Sequence, residues 1–185
     1  NGGSVEDWFR FHRDVQAVLT GQNITTDPNA FAVGRSLLKG EFLSAFNSKA
    51  TELGSESIDH FSLAMQAVTE YILPKKALQV QKRYLRRLAR KPQDMKMKSY
   101  IARVREINDY LPMFNMNPKD RVPDDEILEQ LEFAIPNRWR KEMILQGFEP
   151  LEKSLDDFVD FCERLETTED LYDEYHAKKS ADGKP

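Results

Sequence analysis

Few side chains in this sequence are of a type that does chemistry, and their spacing argues against most of the chemistry they could do. Three histidines stand far apart, at His12, His60 and His176. None has a partner three or four residues on that would build a zinc site. The single cysteine, Cys162, excludes an internal disulfide and a cysteine-rich metal site. It falls on an apolar helix face and reads as a packed residue rather than a nucleophile. Gly34 and Gly40 lack the lysine–serine/threonine ending of a phosphate-binding loop. No Asp-Thr-Gly or Asp-Ser-Gly triplet of an aspartic protease is present. The carboxylate pairs Asp124/Asp125 and Asp156/Asp157 sit at helix starts, where capping explains them. These readings predict no catalytic residue, no metal, no cofactor and no small-molecule substrate.

What the sequence does concentrate is charge. Residues 75–105 hold 12 basic residues and one acid, whereas residues 124–174 hold 17 acids and 5 bases. The stretch from Lys75 to Lys91 has eight cations and no acid, which suffices for phosphate contacts. Lys82, Arg83, Arg86, Arg87 and Arg90 are therefore candidates for RNA or other electrostatic contacts. Base readout would need an aromatic free to stack. Tyr84 is the only aromatic there, and the helical wheel assigns it to the core side. The acidic excess downstream also repels a polyanion. Nucleic-acid binding thus enters as a non-specific property. A basic flank and an acidic flank on one small protein can also attract copies of that protein.

The elements that carry these residues read almost entirely as helix. Ser4 caps a first helix, with Asp7 forming a near capping box and Trp8, Phe11, His12, Val15 and Leu19 on one face. Asp27-Pro28 restarts the chain as a helix over Phe31 to Leu53, with a break or kink allowed at Gly34 and Gly40. Ser55 and Ser57 precede a third helix that Pro74 ends. A fourth, from about Lys75 to Arg90, presents Ala77, Val80, Tyr84, Leu85 and Leu88 on one side and its cations on the other. Lys91-Pro92 breaks it. A fifth helix spans about Asp94 to Leu111, and a loop runs from Pro112 to Pro123. Three more helices follow, near Asp124–Ile135, Arg138–Gln146 and from Ser154 on. No strand pattern is visible. No apolar run reaches the roughly 20 residues that span a bilayer, and no signal peptide is seen, so no membrane partner is expected. The chain begins Asn-Gly-Gly-Ser, as a processed or trimmed product would. The fold class expected is all-α. It comprises two small helical domains, residues 1–91 and 92–168, joined by a short hinge at Lys91-Pro92, with a polar tail or linker at 169–185.

Four stretches together carry a family resemblance: VEDWFRFHRDV, GRSLLKGEFLSAFNSKA, ILPKKALQVQKRYLRRLARKP and MKMKSYIARVREINDYLPMFN. In that order and spacing they resemble the capsid region of the Gag protein of a gypsy-type (Metaviridae) long-terminal-repeat retrotransposon. Lys91 to Ile107 also resembles the major homology region of retroviral capsids. Tyr100, Ile101, Ala102 and Arg103 match its aromatic, aliphatic, any residue, arginine run. Lys91 and Pro92 stand where glutamine and glycine are usual, and Met95 where glutamate is usual. Only the helix, Tyr100 and Arg103 therefore carry over.

The resemblance implies a structural capsid protein that assembles with itself. The first domain would form rings of six or five and the second would pair neighbouring rings. It places ring contacts on the first and second helices, with Trp8, Phe9, Leu38 and Phe42 as candidates. It places a two-fold contact in 124–146, with Trp139 and Arg140 as candidates, Trp139 reading equally well as a core residue under its helix. It implies RNA as cargo, held mainly by a nucleocapsid region whose zinc-knuckle motif is absent from this sequence. It further implies an intracellular setting, as cytoplasmic virus-like particles or in the nucleus. Two alternatives stay open. One is a domesticated Gag-fold adaptor that binds partner peptides, which exposed apolar surface around Phe9 or Phe31 would favour. The other is a non-specific nucleic-acid-binding helical domain.

Overall fold

The computed structural model describes residues 4–22, 24, 27–87 and 90–182, without the side chains at 27, 28, 87 and 177–182. The side chain of Arg87, Leu88 on the expected core face and the capping side chains of Asp27-Pro28 lie outside the described residues. Among the described residues every regular element is helical: α1 Val5–Gly21, α2 Asp27–Leu37, α3 Gly40–Leu53, α4 Ile58–Ile72, α5 Ala77–Arg87, α6 Met97–Tyr110, α7 Asp124–Ala134, α8 Asn137–Leu145 and α9 Leu155–Asp182. Short 3-10 turns at Leu111–Phe114, Pro118–Asp120 and Pro150–Glu152 occupy the joints.

The caps are the ones the sequence specifies. Ser4 Oγ accepts from the Asp7 amide at 3.2 Å while Asp7 Oδ2 accepts from the Ser4 amide at 2.8 Å. Ser154 and Asp157 repeat the same reciprocal box at the start of α9. Each pair satisfies amides that a helix start leaves unbonded. Those bonds from the serine hold the Asp7 and Asp157 carboxyls below the usual range. The long second helix expected over Phe31 to Leu53 is two helices. Gly40 at φ 57° takes the left-handed turn that starts α3, a conformation that a side chain disfavours.

The chain divides into two compact units. The first comprises Asn1–Gln81 and Tyr110–Asp120, the second Lys82–Asp109 and Arg121–Pro185. The chain therefore passes between units within α5 and again around Tyr110–Asp120. Lys91-Pro92, the expected hinge, lies inside the second unit.

In the first unit α4 packs against α1, α2, α3 and the 3-10 turn at Leu111–Phe114. Phe31, Phe46 and Phe61 form its centre, with ring centroids 5.4 to 5.8 Å apart in tilted and edge-on pairs. Gly34 permits this. A Cβ there would stand 2.9 Å from Phe46 Cζ and 3.0 Å from Phe61 Cε2, so Gly34 is a close-packing residue rather than a kink. The buried Trp8 indole donates to Thr69 Oγ1 at 3.0 Å, and Thr69 donates to the Met65 carbonyl.

In the second unit Leu85, Met97, Tyr100, Val104, Ile127, Leu131, Phe158 and Cys162 are buried together with Trp139 and Met143. Asn108, also buried, clamps the chain: its side chain donates to the Val122 carbonyl and accepts from the Val122 amide, both at 2.8 Å. The expected tail at 169–185 is helical through Asp182. Ion pairs from Lys96 to Asp170 and from Arg138 to Glu169 tie this part of α9 to residues distant in sequence, which composition alone does not reveal.

Candidate functional site

Burial redistributes the expected contact residues. Trp8, Phe9 and Leu38 are core residues of the first unit, whereas Phe42 is open. The amphipathic pattern marked all four as apolar, and only the neighbouring helices separate covered from uncovered. Trp139, expected as an interface anchor, is also a core residue at 2% exposure, on the inward face of α8 with Met143. Arg140 is half-buried and bonds Asn137 within the same helix. Phe9 and Phe31 are fully buried, so the open apolar surface that would favour a peptide-binding adaptor is absent at those positions.

Open apolar residues of the second unit lie elsewhere, and Leu151, Leu171, Tyr172 and Tyr175 are among them. Ile144 and Leu145 at the end of α8 are 80% and 78% exposed, and Phe133 near the end of α7 is 71% exposed. Within α8 the inward pair Trp139 and Met143 is four apart, so Ile144 and Leu145 necessarily turn outward. All three fall in the stretch 124–146, although the sequence reading named Trp139 rather than these.

The residues of the major-homology-like segment have structural roles in the second unit. Tyr100 is buried, and burial, with a smaller effect from the nearby Tyr84, pushes its hydroxyl up to about 12. Arg103 pairs with Glu106 at 2.6 Å within α6. Glu166 of α9 bonds the start of this helix. Its carboxylate accepts from the Met97 amide at 2.9 and 3.2 Å, capping α6 across 69 positions of sequence. The Lys91 ammonium stands 3.3 Å from the same carboxylate and 5.4 Å from the Trp139 ring centroid. These side chains are 5% and 15% exposed, so this is a buried ion pair. It lines a cleft of about 760 Å³ that also holds the pairs Lys96–Asp170 at 2.5 Å and Arg138–Glu169 at 2.6 Å, together with the carboxylates of Asp94 and Asp173. The bond that Lys96 donates to Asp170 raises its ammonium above its ordinary value. With five carboxylates to three cations, the lining carries an acidic excess.

The basic face of α5 is thinner than its sequence. Lys91 is buried, Arg86 is paired with Glu126 at 2.7 Å, and Lys82 is half-buried. Arg83 and Arg90 are exposed with no ion-pair partner among the described residues. Val80 and Tyr84, expected on the core side, are open, and among the described residues of that side only Leu85 is buried.

The remaining reactive groups are packed away. Burial pushes the Cys162 thiol up to about 12, so it carries no thiolate at neutral pH. Burial pushes the His12 imidazole down to about 4, and its Nδ1 has no hydrogen-bond partner among the described residues. No group of three or more potential metal ligands occurs among the described residues, and no described helix is long and apolar enough to cross a membrane. Compared with known proteins, the chain matches no family model, no curated protein and no solved structure.

Proposed function

We propose that this chain is a structural capsid protein of the Gag type, one that self-assembles through weak repeated contacts into a shell around RNA, with no catalytic role. The observation that carries the proposal is the open apolar trio Phe133, Ile144 and Leu145 in the second unit. Large apolar side chains left this open have a solvation cost, which a repeated contact removes. The contact would be modest in area, as a shell that combines several geometries requires. The flanking segregation of basic and acidic residues makes the same association sensitive to salt.

Light scattering and negative-stain microscopy across protein concentration and salt test this reading. The expected result is rings or closed particles from the parent protein. Ile144→Ser with Leu145→Ser should abolish them while leaving the far-ultraviolet circular dichroism unchanged, since both side chains are already in water. A parent protein that stays monomeric under every condition overturns the reading. So does a doubly substituted protein that assembles as well as the parent.

A further inference from the structure

The open face of α5 has an aromatic as well as cations. Tyr84 is 43% exposed. On the helix Arg83 is its chain neighbour. The guanidinium of Arg83 has no ion-pair partner among the described residues, and neither does that of Arg90. Arg86 lies on the same helix but is held by Glu126 at 2.7 Å.

An exposed aromatic beside free guanidinium groups suits one polymer better than others. A folded acidic protein surface would satisfy the arginines and leave the ring unused. A duplex hides its base faces. A single-stranded nucleic acid offers phosphates to the arginines and an unstacked base to the ring. We propose that α5 carries a single-stranded RNA contact in which Tyr84 stacks on a base, Arg83, with Arg90 just beyond the helix, holds phosphates, and Glu126 withholds Arg86 from the strand. This deepens the shell reading, on which it rests for the identity of the cargo, by assigning the cargo a surface on the helical domain itself.

The test is fluorescence anisotropy of a labelled oligouridylate with the full chain, at a concentration where light scattering reads it unassembled. Tyr84→Ala is expected to weaken binding about 5- to 150-fold, the range of one base–aromatic stack. Tyr84→Phe should retain the parent affinity, because the ring rather than the hydroxyl does the stacking. Glu126→Gln should tighten binding by releasing Arg86, and a duplex RNA of equal length should bind more weakly than the single strand. Circular dichroism of each variant checks that α5 still folds. Unchanged affinity in Tyr84→Ala, equal affinity for the duplex, or no binding of the oligouridylate by the parent would each overturn the inference. Because the assay is run without assembly, its failure is distinct from that of the shell reading. A protein that forms particles but ignores the oligouridylate loses only the RNA surface. One that binds it through Tyr84 but never assembles loses the shell and keeps the surface.

Discussion

Removing the Glu166 carboxylate should be among the most damaging single changes in the second unit. Glu166→Gln keeps the size of the side chain and an oxygen that can still accept from the Met97 amide. What it removes is the negative charge 3.3 Å from an ammonium that is 5% exposed. Breaking a buried ion pair from one side leaves an uncompensated charge, at a cost of about 3–5 kcal/mol. Glu166 is itself 15% exposed, and some water reaches the pair, so the lower end applies, about 3 kcal/mol. With a urea dependence of about 1–3 kcal/mol per molar, the unfolding midpoint moves down by about 1–3 M. The two tryptophans lie in different units, so a Trp8→Phe background lets Trp139 fluorescence report on the second unit alone. Lys91→Met with Glu166→Leu should recover most of the loss, because no charge is then stranded. A shortfall of about 1 kcal/mol should remain, since the Met97 amide loses its cap. If Glu166→Gln costs less than about 0.5 kcal/mol, the pair is effectively solvated and the reasoning fails. If the apolar pair is no better than Glu166→Gln alone, the stranded charge is not the cause.

Three other changes test the rest of the packing. Gly34→Ala places a methyl 2.9 Å from Phe46 and 3.0 Å from Phe61, both rings in a filled core, and should cost about 1–3 kcal/mol in thermal or urea unfolding. Asn108→Leu abandons two bonds to Val122 and strands that residue's buried amide and carbonyl; a loss of about 2–4 kcal/mol is expected from chemical denaturation. His12 gives a pH signature. Its folded value of about 4 lies below the ordinary 6.5, so the unfolded chain binds the proton more readily. Its contribution is fully present above about pH 6.5 and is lost as pH falls toward 4, by at most about 3 kcal/mol. Stability measured from pH 7 to 4 should fall less steeply in His12→Phe than in the parent; parallel curves would refute the buried neutral imidazole.

Much of the fold was legible because helix caps and helix faces are local. Ser4 with Asp7 and Ser154 with Asp157 satisfy amides within one turn of themselves, so their chemistry can be read without any partner. Trp8, His12, Val15 and Leu19 share a face for the same reason. The expected site residues fared differently. Apolar periodicity marks a residue as able to be buried, not as buried. Tyr84 and Val80 belong to the same wheel sector as Leu85, yet both are open while Leu85 is buried beside residues of α6 and α7. Within α8, Trp139 reads equally as interface or core and is core, while no local signal distinguishes the open Ile144 and Leu145.

The sequence by itself determined that this chain is helical, where most helices begin and end, and that its charge is segregated along its length. Those properties depend on backbone geometry and on neighbours a turn away. Only the tertiary structure decided which cations are available and which apolar side chains remain in water. Lys91 reads as one more positive charge of a basic run, and it is a buried partner of a glutamate on α9. Glu166 reads as one acid among many, and it caps a helix that starts 69 positions earlier. Solvation and charge pairing are set by what stands within a few ångströms, and the chain brings those groups together from distances along the sequence over which no local pattern extends.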